Sequence, residues 1–151
     1  MLMTYITMKN IIVCLILFAN IFQSNAALEK RKCFLSSKFQ VRVANNLPPY
    51  TEPIYLHCAS GDDDLGRHKL ERNQEFHWSF CERVIGTLFF CHLWWGSKEK
   101  AFDAFSGKWK GRCDSGTCSW IAKSDGIYFA KDSSKNSLAK MFNWEVSRAS
   151  N

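Results

Sequence analysis

The sequence holds one long apolar run and no second one, which excludes a chain of several membrane helices. It has no Asn-x-Ser/Thr sequon, so N-glycosylation is not expected. It has no Cys-x-x-Cys pair, and His57 adjoins Cys58 instead of standing at a ligand spacing, which argues against zinc. No repeat, low-complexity tract or linker divides it. Helical periodicity is scarce, which argues against a helix bundle. No phosphate-cradling loop, nucleotide fingerprint or Ser/His/Asp arrangement is present, so the common nucleotide-dependent and nucleophilic enzymes lose their motifs.

What the chain does have starts with an address. Lys9 and Asn10 precede an apolar run over residues 11–22, and Ser24-Asn25-Ala26 supplies small residues for cleavage. The run is about twelve residues, short of the roughly 20 that span a bilayer. Residues 1–26 are therefore expected to be a secretory signal cut after Ala26. Residues 27–151 form a single domain large enough for a real core.

Cysteine usage agrees with export. Of seven cysteines, Cys14 lies in the signal. Cys33, Cys58, Cys81, Cys91, Cys113 and Cys118 remain, and an even number in a small secreted chain points to disulfides. Six cysteines leave about 15 pairings open. The formal net charge is +6, and the signal contributes only Lys9 to it. A modest excess of this kind suits acidic wall polymers, anionic lipid or nucleic acid. The charges are dispersed, however. The run Lys30-Arg31-Lys32 sits where a solvated tail is expected.

Period-two alternation recurs instead. Phe39, Val41 and Val43 share a face, as do Ile54, Leu56 and Cys58, then Phe76, Trp78 and Phe80, then Cys118, Trp120 and Ala122. This is the pattern of half-buried antiparallel strands. Residues 88–95 are more continuously apolar, as in a strand near a sandwich core. Residues 126–129 and 142–146 read as closing strands, residues 101–105 as a strand or short helical turn, and residues 135–141 as a helix. Turn-forming Asn, Pro, Gly, Asp and Ser fall between the runs. The predicted class is all-β: a small, disulfide-stabilised antiparallel β-sandwich.

Several short motifs follow one another in a specific order. They are Val41-Arg42-Val43-Ala44-Asn45-Asn46-Leu47, Leu56-His57-Cys58, the acidic turn Asp62-Asp63-Asp64-Leu65-Gly66 with His68, Phe76-x-Trp78-x-Phe80, Phe89-Phe90-Cys91, and Cys118-Ser119-Trp120 before Gly126-Ile127-Tyr128. In order and spacing this resembles the plant self-incompatibility protein S1 family, the S-protein homologues. The resemblance implies a secreted protein of the apoplast with a small β-sandwich. It also implies a signalling ligand for a cell-surface receptor. The expected protein is a monomer that acts by recognition, with no catalytic residue, cofactor, metal, nucleic acid or membrane span. The family's recurring cysteines correspond to Cys58, Cys91, Cys113 and Cys118. Cys33 and Cys81 are additional and are expected to pair with each other. Where the family commonly has glycine before Phe76 this chain has Asn73, a residue that tolerates the left-handed conformation.

Candidate chemistry is weighed against plainer roles. The four histidines would serve a secreted basic ribonuclease as acid and base, but they are read as structural or solvated. His68 is expected to bond a nearby carboxylate. Asp62, Asp63 and Asp64 would supply calcium with too few well-aimed oxygens, so they are read as a solvated hairpin loop. Residues 62–67 and 108–115 are expected to present variable polar surface. Asp62, Asp63, Asp64 and Arg67 are therefore receptor-binding candidates. Trp94 and Trp95 face opposite sides, and Trp95, near Lys98 and Lys100, is taken as an exposed contact for receptor or glycan. A charge-driven antimicrobial or wall-binding protein is the remaining alternative.

Overall fold

Alternation becomes strand wherever one face can be buried. The computed structural model describes residues 33, 36–83, 86–109, 111–113, 116–130 and 137–147. These contain β1 (Lys38–Asn45), β2 (Ile54–Ser60), β3 (Asp64–Leu70), β4 (Glu75–Cys81) and β5 (Leu88–Trp95). Then come β6 (Lys98–Ser106), β7 (Thr117–Lys123), β8 (Gly126–Ala130), β9 (Leu138–Phe142) and β10 (Glu145–Val146). Sheet A has the order β4-β1-β7-β8-β9, and sheet B the order β10-β6-β5-β2-β3. The architecture is the all-β, disulfide-bearing sandwich expected from the sequence. Neighbouring strands run antiparallel except β1 and β7, which pair in parallel from Gln40 opposite Thr117 to Asn45 opposite Ala122.

The core lies between the sheets. Sheet A contributes Val41, Val43, Trp120, Ile127 and Phe129; sheet B contributes Ile54, Leu56, Phe89, Leu93 and Phe102. Trp120 is the largest fully buried side chain. Its indole N–H crosses the interlayer to the Ala104 carbonyl at 2.9 Å, and its ring meets Phe102 and Phe129 at 4.6 and 4.8 Å. Asn45 is buried yet satisfied: its Nδ2 donates to the Leu70 carbonyl and its Oδ1 accepts from the Leu47 N–H, both at 3.0 Å. That side chain fastens the end of β1 to the end of β3.

Among the described residues, three disulfides tie loops and neighbouring strands together, and none crosses between the sheets. Cys33 joins Cys81 at the end of β4. Cys58 and Cys91 are direct partners on β2 and β5, with Cα atoms 4.1 Å apart. Cys113 joins Cys118 just before β7. On a loop-closure model, the 48-residue separation of the first bridge stabilises the fold by about 4 kcal/mol and the 5-residue separation of the third by about 2 kcal/mol.

Three local expectations are corrected. Residues 64–67, read as the far half of a loop, open strand β3. Residues 138–141, read as helix, lie in β9, and residues 135 and 136 of that reading lie outside the described residues. Residues 142–146 do not form one closing strand. Phe142 ends β9 in sheet A, and Glu145–Val146 pair with β6 in sheet B. Residues 101–105 are strand, inside β6. The leader 1–26 and the basic run 30–32 lie outside the described residues.

Candidate functional site

The acidic turn is a tight hairpin followed by a bulge. The Ser60 N–H donates to the Asp63 carbonyl at 2.8 Å, and Ser60 Oγ accepts from the Asp62 and Asp63 N–H groups at 3.3 and 3.0 Å. The three carboxylates do not share a target. Asp62 pairs with Arg83 at 2.6 Å. Asp63 is exposed. Asp64 Oδ1 accepts from the Gly66 N–H at 2.8 Å and meets His57 Nε2 at 2.7 Å. The Gly66 N–H, and after it the His57 bond, hold the Asp64 carboxyl below its usual range.

Pairing between β2 and β3 then slips by one residue: His57 faces Arg67, but Ala59 faces Asp64. The extra residue on β3 is accommodated at Gly66, with φ +78°, a conformation glycine adopts without cost. The bulge matters because it aims Arg67 outward from sheet B. Its guanidinium lies 5.6 Å from the Trp94 ring centroid. Arg67 joins no ion pair among the described residues.

Cross-strand rows assemble the rest of this outward face. Tyr55 lies between Lys69 and Trp94, and His57 between Arg67 and His92. Along β5 the outward positions are Leu88, Phe90, His92 and Trp94, because Phe89, Cys91 and Leu93 are buried. Tyr55, Leu88 and Phe90 are exposed by 53%, 48% and 44%, so several large apolar side chains face solvent on one sheet. His92 stacks on Trp94 at 3.9 Å and bonds Glu99 at 3.0 Å. A shallow groove runs between Tyr55, Leu56, Arg67 and Trp94. Tyrosine, tryptophan and arginine are the side chains that most often carry the energy of a protein interface.

Of the sequence candidates, Arg67 stands on this face, Asp64 beside it, Asp62 and Asp63 cap its hairpin end, and Trp95 is turned away from it. Trp95 packs against the core and Trp144, with Lys98 Nζ 4.6 Å from its ring centroid. Trp94 is the outward member of the pair. Tyr55, Phe90, His92 and Trp94 were not singled out as contacts by the sequence reading. For Phe90 and Trp94 the signal was the nearly continuous apolar run of β5, which leaves apolar side chains on both faces of the strand; Tyr55, on β2, had no such signal. His68 bonds the Leu65 carbonyl at 2.7 Å, not a carboxylate, and stacks on Phe76 at 3.8 Å between the sheets. Of residues 108–115, positions 110, 114 and 115 lie outside the described residues.

The family model of plant self-incompatibility protein S1 matches residues 40–144. S-protein homolog 1 of Arabidopsis thaliana is 32% identical over 116 residues, covering 73% of this chain and 74% of that protein. S-protein homolog 74 of the same plant is 37% identical over 98 residues, and the match spans 61% of this chain and 62% of that protein. A solved structure of self-incompatibility protein homologues, described as a widespread family of small, highly stable, secreted plant proteins, superposes with a TM-score of 0.58. It is 18% identical and covers 73% of this chain and 96% of that one. The fold thus agrees with the family, and with the family model matched from within β1 to the residue before β10 the chain belongs to the plant self-incompatibility protein S1 family.

Proposed function

We propose that this protein is an extracellular signalling ligand of the S1 type, released to the apoplast after removal of residues 1–26 and recognised there by a cell-surface receptor. Residues 27–151 act as one domain and as a monomer. The sandwich is the scaffold, and the outward face of sheet B is the recognition surface. The observation that carries this reading is the grouping of Tyr55, Arg67, Phe90 and Trp94 on one exposed sheet face beside the acidic hairpin. Solvent would not be left against such a surface without cost unless a partner covers it.

Recognition fits the site better than turnover does. His57 and His92 each contact a carboxylate, and His68 a carbonyl, so these histidines hold the fold in place. Among the described residues no helix is long and apolar enough to cross a membrane. Pollen rejection is one role such a ligand would serve, and other communication between cells is equally compatible with the surface.

The test is saturation binding of labelled, oxidised protein to plant cells, with a high-salt wash. Saturable binding that survives the wash and is displaced by unlabelled protein is expected, because a desolvated contact resists screening. Binding that rises linearly with dose and vanishes in salt would replace this reading with charge-driven attachment to wall or membrane.

A further inference from the structure

In the connection between β1 and β2, the backbone and side chain of one residue make opposite demands. Tyr50 has φ +62°, in the left-handed region that glycine and asparagine enter readily and bulky residues do not. Its side chain is fully exposed, at 105%, and its ring joins none of the aromatic or cation–π contacts among the described residues. The fold therefore asks for a left-handed backbone at position 50 and gains no packing from the phenol. Strain of this sort persists only where the neighbouring structure imposes it.

The neighbouring structure does impose it. Leu47 is buried, its N–H donates to Asn45 Oδ1 at 3.0 Å, and its carbonyl accepts from Arg72 Nε at 3.3 Å. Pro48 and Pro49 fix two successive φ angles. Thr51 Oγ1 donates back to the Pro48 carbonyl at 3.0 Å, and Ile54 is wholly buried where β2 begins. Tyr50 thus sits at the tip of an arch that is ordered before any partner arrives. The arch stands at the Tyr55–Trp94 end of sheet B, where the Glu52 carboxylate approaches Gly96 of the β5–β6 turn.

We propose that Tyr50 is an anchor residue of the recognition surface. Its ring fills a concave apolar pocket in a protein partner, and its hydroxyl meets a hydrogen-bonding group at the pocket floor. One ring projecting from a stiff arch fits a hole, and a stiff arch loses little freedom on binding. A lipid surface would call for several apolar and cationic side chains at the tip, whereas this arch carries Glu52. The assignment rests on the receptor-ligand reading above and adds to it a contact outside the sheet face.

Tyr50→Gly separates the two demands. Glycine accepts the backbone and removes the ring, so the thermal midpoint should stay at or above that of the wild type. The concentration that half-saturates plant cells should rise about tenfold or more, a loss of about 1.4 kcal/mol. Tyr50→Asn, which also tolerates this φ, should behave alike, and Tyr50→Phe should retain part of the affinity. If wild-type binding is saturable and both Gly and Asn variants bind within about threefold of it, the anchor is refuted while the receptor reading stands. A lower thermal midpoint in both variants would show that the ring serves the fold, and would overturn the proposal too. Absence of saturable wild-type binding would remove the receptor reading and the anchor together.

Discussion

At Asp64 a backbone N–H, an imidazole and a guanidinium favour one exposed carboxylate. The Gly66 N–H is the largest influence, the His57 side chain the next, and Arg67 adds a weaker charge. All three favour the ionised form, so the folded-state pKa lies below the ordinary one. A depressed carboxyl pKa contributes stability that is fully present above the ordinary value and is lost as pH falls towards the folded one. By NMR titration, Asp64 should therefore protonate at lower pH than an ordinary aspartate. In His57→Ala the midpoint should rise but stop short of the ordinary value, because the Gly66 bond remains. An Asp64 that titrates ordinarily, or is unmoved by His57→Ala, would contradict the geometry of this hairpin. Other single residues were legible from the sequence. Asn73 does stand in the left-handed conformation, φ +64°, in the turn where the family commonly has glycine. Which of Trp94 and Trp95 faces solvent was not legible, because adjacent tryptophans look alike until the register of β5 against β2 is known.

The strands β1, β2, β4 and β7 were readable because each has one buried and one wetter face, which prints alternation into the sequence. Strand β3 was not. As an edge strand it carries Asp64, Arg67 and Lys69 outward and His68 inward, so neither face reads as apolar, and Gly66 resembles a turn. Strand β9 contains Leu138, Ala139, Lys140 and Met141, all good helix formers, and its sheet position overrides that preference. The parallel match of β1 to β7 has no local signal at all, since the pattern of a strand does not name its neighbour. The bulge in β3, with Gly66 in the left-handed conformation, sets the register that places Arg67 opposite His57. An added Cβ at Gly66 would meet nothing within 4 Å, so the cost of Gly66→Ala is conformational. Urea denaturation should show a loss of about 1 kcal/mol for Gly66→Ala and less for Gly66→Asn. Equal stability of all three would mean that the left-handed bulge is not required.

Across the whole molecule, the two sheets are built alike inside and differently outside. Sheet A presents mixed polar groups such as the Arg42–Glu75 pair and Tyr128, which bonds Asp125 at 2.6 Å. Sheet B presents Tyr55, Leu88, Phe90 and Trp94, held in register by the buried Cys58–Cys91 bridge beneath them. The sandwich class could be read from alternation and turn spacing, and the even cysteine count pointed to its bridges. The asymmetry between its outer faces could not, because it depends on which strands share a sheet. The central claim is that sheet B, not net charge, carries recognition. The most direct measurement compares cell-surface saturation binding of Trp94→Ala and Arg67→Ala with that of Tyr128→Ala, each shown to be folded. The account predicts that the two sheet B variants weaken half-saturation by about tenfold or more while Tyr128→Ala stays within about twofold of wild type. Sheet B variants that bind as tightly as wild type, or a matching loss in Tyr128→Ala, would contradict it.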